Sequence, residues 1–159
     1  MFNFEGNDIS MTSHHNTGAF LVSGDNVMTV SWGLLGVMWG KKILVAPIRD
    51  SRYTKTFVDF SKEFTLSVPK ADQLREQIAF CGSRSGRDVD KWTECGLKKQ
   101  KARVVSSFVV GGCERYYECR VVTVLDMKNA DLSQIAEWYP THDLHNLYFA
   151  EVVAEYTGK

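Results

Sequence analysis

This chain has no net charge with which to draw a partner over long range. Its 159 residues carry 19 Lys and Arg against 19 Asp and Glu. That balance excludes a general electrostatic pull toward nucleic acid or an anionic membrane. The cysteines, Cys81, Cys95, Cys113 and Cys119, form no C-x-x-C pair, so neither a zinc knuckle nor a thioredoxin-like motif is present. They read as buried apolar thiols in a reducing, cytoplasmic setting. Long apolar runs are also missing. The longest, Val27 to Gly40, is broken by Thr29, Ser31 and three glycines and is too short to cross a bilayer. The first residues, Met1-Phe2-Asn3-Phe4-Glu5, carry an acid and no basic stretch, unlike a secretory signal. No G-x-G-x-x-G follows a strand, and neither a P-loop lysine motif nor a G-x-S-x-G occurs. Those absences argue against a Rossmann dinucleotide site, an NTPase and a hydrolase.

What is present is a core-forming composition, 44% hydrophobic, of ordinary size for one domain. Residues 1–17, rich in Asn, Ser, Thr and His, read as a loosely structured lead, and 18–159 as the domain. Ala19 to Val22 begins a strand, and Asp25-Asn26 turns into a second over 27–32. Alternation puts Val27, Thr29 and Ser31 on one face and Met28, Val30 and Trp32 on the other. Gly33, Gly36 and Gly40 punctuate the stretch after this strand. Lys42 to Ile48 is a strand, and Pro47 suggests an edge position.

Ser51 is placed to cap a helix in which Tyr53, Phe57, Phe60 and Phe64 form a core-facing stripe. Phe64 to Val68 becomes a strand, 72–81 a second amphipathic helix, 82–87 a polar loop, and 88–95 a short helix ended by Gly96. Strands come next over 103–110, 114–126 and 146–156. Asp131-Leu132-Ser133-Gln134 resembles a capping box for a helix that stops before Pro140. The basic run Lys98 to Arg103 reads as a solvated face. Short strands with helices between them suggest a mainly β chain, a barrel with added helices.

The candidate site joins two segments. Strand 27–32 offers Thr29, Ser31 and backbone groups, with Trp32 or Trp39 for apolar support. Arg49-Asp50-Ser51-Arg52-Tyr53-Thr54 offers two arginines at a helix start, where free amides and the helix dipole favour an anion. Ser83, Arg84 and Ser85 are expected to approach from the next loop. Arginine's planar fork suits phosphate oxygens. The set fits a flat polar ring with a phosphate tail, and flavin mononucleotide (FMN) fits it best among common cofactors. Singly, each feature has a plainer reading: a β-former, a helix cap, a solvated arginine. His142, Asp143 and His145 lie close in sequence, but two histidines without a nearby cysteine or a Glu-bearing helix make a weak zinc signal.

Asn26 to Gly33, Arg49 to Thr54, Ser85 to Lys91 and His145 to Val152 resemble, in order, blocks of the flavin reductase-like family of FMN-binding split barrels, the group that includes flavoredoxin. The resemblance implies a six-stranded Greek-key split barrel with flanking helices, a homodimer, and non-covalent FMN near the dimer interface. It implies that Met28, Thr29, Ser31 and Trp32 line the ring and ribityl chain. By the same resemblance Arg49, Ser51, Arg52, Tyr53 and Thr54 would form the second wall and reach the phosphate, and Cys81, Gly82, Ser83 and Lys91 would close the phosphate end. His145 matches a histidine near the ring and the nicotinamide. Ala150 stands where reductase members usually have glycine, so its methyl is expected to narrow the nicotinamide slot.

The function expected from this is an oxidoreductase passing hydride from NAD(P)H, a transient substrate, to flavin. Such chemistry belongs to the cofactor and needs no protein acid or base, so no catalytic residue is named beyond His145 as an orienter. The alternatives are a flavoredoxin-like electron carrier serving a redox partner protein, and a barrel that has lost flavin function.

Overall fold

The computed structural model describes residues 18–158; the N-terminal lead, 1–17, lies outside the described residues. A seven-stranded, wholly antiparallel sheet runs in the order β2-β1-β5-β8-β9-β4-β3. Its strands are β1 (Ala19–Ser23), β2 (Asn26–Val30), β3 (Leu34–Met38), β4 (Lys41–Arg49), β5 (Glu63–Val68), β8 (Arg115–Asp126) and β9 (His145–Thr157). β6 (Lys99–Lys101) and β7 (Phe108–Val110) form a separate two-stranded sheet. The α-helices among the described residues are α1 (Thr54–Ser61), α2 (Arg75–Ser83) and α3 (Lys91–Glu94).

The sheet curls. Met28 and Val30 of β2 share one buried cluster with Leu44, Ala46 and Ile48 of β4, although four strands separate them in the sheet order. No ladder joins the two end strands, so the curled sheet stays open as a hydrogen-bonded object. The fold is mainly β, with seven strands in the sheet where six were expected. The outer face of β1 and β2 is covered by a second cluster, in which Phe20, Val22 and Val27 meet Ile78, Trp92 and Val109.

Local expectations differ from the structure where tertiary partners override sequence pattern. β3 was hidden behind its glycines; Trp39 and Gly40, at φ 54° and 69°, make the tight hairpin turn to β4. Pro47 sits in a strand paired on both sides, but β3 reaches only as far as Val45, so Pro47 has one neighbour, Leu147 of β9. α1 starts at Thr54, after Tyr53, and Ser51 does not cap it. The aromatic stripe fails at Phe60, which is 93% exposed; Thr54 and Val58 are the buried positions.

Residues 103–107 form no strand, because the amides of Arg103, Val104 and Val105 turn to the buried Glu118 carboxylate. The helix expected after Asp131 shrinks to one 3₁₀ turn, Ala136–Trp138, and Asp131 instead accepts from the Ser133 amide.

Candidate functional site

β2 ends the sheet, so among the described residues its outer edge has no strand partner. Five consecutive residues, Met28 to Trp32, line a compartment of about 150 Å³ there. Alternating side chains do this only where a strand presents its edge. The far wall is Pro47, Arg49, Arg52 and His145. The strand stops at Val30, so the expected alternation stops too: Met28 and Val30 are core, whereas Trp32 is 51% exposed. Thr29 Oγ1 donates to the Ile78 carbonyl at 2.5 Å, tying β2 to α2.

His145 opposes Arg49 across the β4–β9 ladder. Its Nδ1 shares a 2.7 Å hydrogen bond with the Tyr139 hydroxyl, and its ring centre lies 5.3 Å from that of Trp32. Burial, with Arg49 next in effect, pushes its pKa down to about 4. The imidazole is therefore neutral near pH 7.

Met28 and Arg52 also line a second compartment of about 120 Å³, which continues the first. Around it stand Ser51, Tyr53, Thr54, Ser83, Arg84, Ser85 and Lys91. Three cations and several hydroxyls meet here, and among the described residues no carboxylate lines the space. Lys91 is only 4% exposed and donates from Nζ to the Val27 and Cys81 carbonyls, both at 2.9 Å. Burial holds its ammonium below the usual lysine range; Cys81 opposes this and Arg52 adds to it. Arg52 Nη1 donates to the Gly82 carbonyl at 2.6 Å. Thr54 is buried, and its hydroxyl accepts from Asn26 Nδ2 at 2.7 Å.

Some expected roles change. Cys81 faces the outer apolar cluster, where burial pushes its thiol up to about 12, and only its carbonyl serves the site, through Lys91. Gly82 likewise contributes its carbonyl, to Arg52. Ser83 lines the compartment, but its hydroxyl donates back to the Ala79 carbonyl. Arg52 precedes the helix rather than lying in its first turn. Ala150 is fully buried in the core cluster with Leu44 and Tyr148 and lines neither compartment, so its methyl does not narrow this site.

Two organising residues were not anticipated. Asp143 accepts from Ser51, through the amide at 3.2 Å and the hydroxyl at 2.6 Å, and its carboxylate lies 3.9 Å from Arg49. Asn26 holds Thr54 from the start of β2. Asp143 is 92 residues from Ser51, and no local pattern signals such a pairing. Among the described residues, no group of three His, Cys, Asp or Glu is arranged to hold a metal ion.

The two joined compartments suit one elongated ligand, flat and polar at the β2 edge and anionic at the Arg52–Lys91 end. Solved structures with a similar fold include flavoredoxin of Desulfovibrio vulgaris (Miyazaki F), with a TM-score of 0.73 and 15% identity over 100% of this chain and 78% of that one. Flavoredoxin from Methanosarcina acetivorans gives 0.71 and 19% over 90% and 69% of the two chains. The NADH:FAD oxidoreductase of Streptomyces globisporus gives 0.68 and 14% over 89% and 75%. At such identities the likeness is one of fold. An uncharacterized protein of Archaeoglobus fulgidus is 30% identical over 105 residues, 64% of this chain, and this chain spans 58% of that protein's length. The model of the flavin reductase like domain matches residues 12–159, nearly the whole sequence, and the chain belongs to that family.

Proposed function

We propose that the protein binds FMN and works as a flavin reductase-like oxidoreductase, taking hydride from NAD(P)H. The observation that carries this reading is the carboxylate-free compartment of Arg52, Arg84 and Lys91, continuous with the one walled by the β2 edge and His145. Among the described residues the buried Lys91 ammonium is bonded to neutral carbonyls alone, and a phosphate would balance its charge. The edge of β2 that faces the compartment has no neighbouring strand among the described residues, and its backbone groups are available as donors and acceptors to a flat heterocycle. Bound flavin supplies the redox chemistry; the chain's part is to hold and orient it. A neutral His145 is a hydrogen-bonding orienter that adds no charge beside the ring. The NADH:FAD oxidoreductase of similar fold favours nicotinamide as the electron source.

Each compartment is smaller than the roughly 300 Å³ at which small-ligand pockets begin. A flavin would stay partly outside one chain, which supports a homodimer that covers it. Leu34, Val37, Met38 and Trp39, on and beside β3, are exposed apolar residues, as is Trp32, and they offer a surface suited to a second copy. Packing there favours the family's six-stranded split barrel as the shared unit, with β3 added at its edge. Four unbridged cysteines agree with a cytoplasmic setting.

The second reading, an electron carrier acting with a redox partner protein, is favoured by the two flavoredoxins of similar fold. Anaerobic absorption spectra separate the two. With FMN supplied, flavin bands that bleach on adding NADH or NADPH support the reductase, and bands that persist support the carrier. Absence of binding by FMN contradicts both.

A further inference from the structure

His145 is held from behind by a residue that lines neither compartment. Tyr139 lies between β8 and β9 and is 7% exposed. Its hydroxyl and His145 Nδ1 are 2.7 Å apart. The Arg49 guanidinium carbon lies 5.4 Å from the centre of the Tyr139 ring. His145 and Arg49 are paired across the β4–β9 ladder, and both line the compartment at the β2 edge. One buried phenol therefore supports two neighbouring wall residues.

The segment that carries Tyr139 is fixed at several points. The Tyr139 amide donates to the Ala136 carbonyl at 3.1 Å, and the Tyr139 carbonyl accepts from the His142 amide at 3.0 Å. Before it, Lys128 Nζ pairs with Asp50 at 2.6 Å; after it, Asp143 accepts from Ser51. A hydroxyl held this firmly dictates which imidazole nitrogen carries the proton.

The direction of the bond follows from chemistry. The imidazole is neutral near pH 7, so one nitrogen is a donor and the other an acceptor. A separation of 2.7 Å suits an O–H donor, whereas an N–H donor to oxygen prefers about 2.9–3.0 Å. The hydroxyl's other neighbour, Met127 Sδ at 3.7 Å, is a weak acceptor and does not compete with a ring nitrogen. Tyr139 therefore donates to Nδ1, and the imidazole proton resides on Nε2. Among the described residues Tyr139 is the hydrogen-bond partner of the ring, and no buried side-chain nitrogen lacks a partner, so Nε2 is the nitrogen open to the compartment. The opposite tautomer would turn a lone pair toward that space and repel an oxygen-edged ring.

We infer that Tyr139 is a positioning residue of the groove: it fixes His145 as the Nε2–H tautomer, so that the compartment selects a flat ring presenting a carbonyl or a bare ring nitrogen to His145. This rests on the flavin reading above and deepens it, because the pyrimidine-dione end of a flavin carries such acceptors. Tyr139 acts through His145.

Two measurements on the full chain test this. Long-range proton–nitrogen correlation spectra of the ligand-free protein near pH 7 read the tautomer, with His145→Ala identifying the signal. The wild type is expected to show a proton on Nε2 and a bare Nδ1. Tyr139→Phe keeps a ring beside Arg49 and removes only the hydroxyl, so the Nδ1 resonance is expected to move. A proton on Nδ1 in the wild type, or an Nδ1 resonance unmoved in Tyr139→Phe, overturns the inference whatever the protein binds.

Calorimetric titration with riboflavin then reads the reach to the ring, in the wild type, Tyr139→Phe, His145→Ala and the double variant. Tyr139→Phe is expected to weaken riboflavin about fivefold in the wild type and less than about twofold in the His145→Ala background. Equal losses in both backgrounds would make Tyr139 a merely structural support and overturn its positioning role. Failure of the wild type to bind riboflavin or FMN defeats the flavin reading, and with it the selection of a flavin ring, while the tautomer stands or falls on the spectra.

Discussion

Two buried charges in this protein have opposite surroundings. Glu118 of β8 is fully buried, and both of its oxygens are answered. The amides of Arg103 and Val104 approach to 2.6 Å, that of Val105 to 3.0 Å, and the Tyr156 hydroxyl to 2.8 Å. Burial alone would raise its pKa; these donors outweigh it and hold the carboxyl below the ordinary range. Lys91 is nearly as well hidden, yet among the described residues it donates to two neutral carbonyls and no carboxylate, and Arg52 nearby adds charge of the same sign. The first arrangement is complete without a ligand and organises the loop 103–107. The second keeps uncompensated charge beside a cavity. A buried charge whose partners are all internal builds structure, whereas one that faces a cavity without a counter-charge marks a place for a ligand.

The comparison breaks most visibly at Glu118. Glu118→Ala strands three amides and a hydroxyl and is expected to cost about 3–5 kcal/mol of stability, read from denaturant midpoints. A loss under about 1 kcal/mol would show that water replaces the carboxylate. The native pKa lies below the unfolded value of about 4.5. The stability this gives is full above that value and is lost as pH falls through the native pKa. Glu118→Gln should remove that part of the acid dependence, which chemical denaturation between pH 5 and pH 3 measures.

At Lys91 the effect should move from stability to binding. Lys91→Met is expected to weaken FMN by about 1.5–3 kcal/mol, roughly ten- to a hundredfold, while the ligand-free fold loses about 1 kcal/mol. The reverse pattern, lost stability with unchanged FMN affinity, would make Lys91 a structural pin between β2 and α2.

His145 sharpens the contrast through pH. Its native pKa is about 4 against an ordinary value of 6.5, so the unfolded chain takes up protons first. Stability from this residue is full above the unfolded value and declines as pH falls toward 4. The NMR shifts of the ring should stay those of a neutral imidazole from pH 7 to pH 5. Protonation near pH 6.5 would place the ring in water.

The smallest effect is expected at Ala150. Ala150→Gly should cost about 0.5–1 kcal/mol as a strand glycine in a packed core and leave turnover with nicotinamide unchanged. Raised turnover would return Ala150 to the site.

Much of the fold was legible because local pattern and burial agree. β1, β5, β8 and β9 fall where alternation and turn residues put them. β3 was illegible: it is exposed on an edge, and Gly36 interrupts its alternation. Of the strand expected over 103–110 only Phe108–Val110 forms, because Glu118, beyond the next turn, captures the amides of 103–105. At the site, Met28 to Trp32 and Arg49 to Thr54 were legible as blocks, and the structure brings them to one groove. Cys81 was legible as a buried thiol on the apolar side of its helix, and the same helical period leaves only its carbonyl toward Lys91 at the groove. Asp143 and Asn26 act over long sequence separations, which no single-sequence pattern reveals.

The Arg52–Lys91 compartment is proposed to hold the phosphate of a flavin. Titrating the wild type and Arg52→Ala with FMN and riboflavin tests it directly. The wild type is expected to prefer FMN by about tenfold or more, and Arg52→Ala to erase most of that preference while riboflavin affinity stays nearly constant. Equal affinity for FMN and riboflavin in the wild type, or equal loss of both in Arg52→Ala, would contradict it.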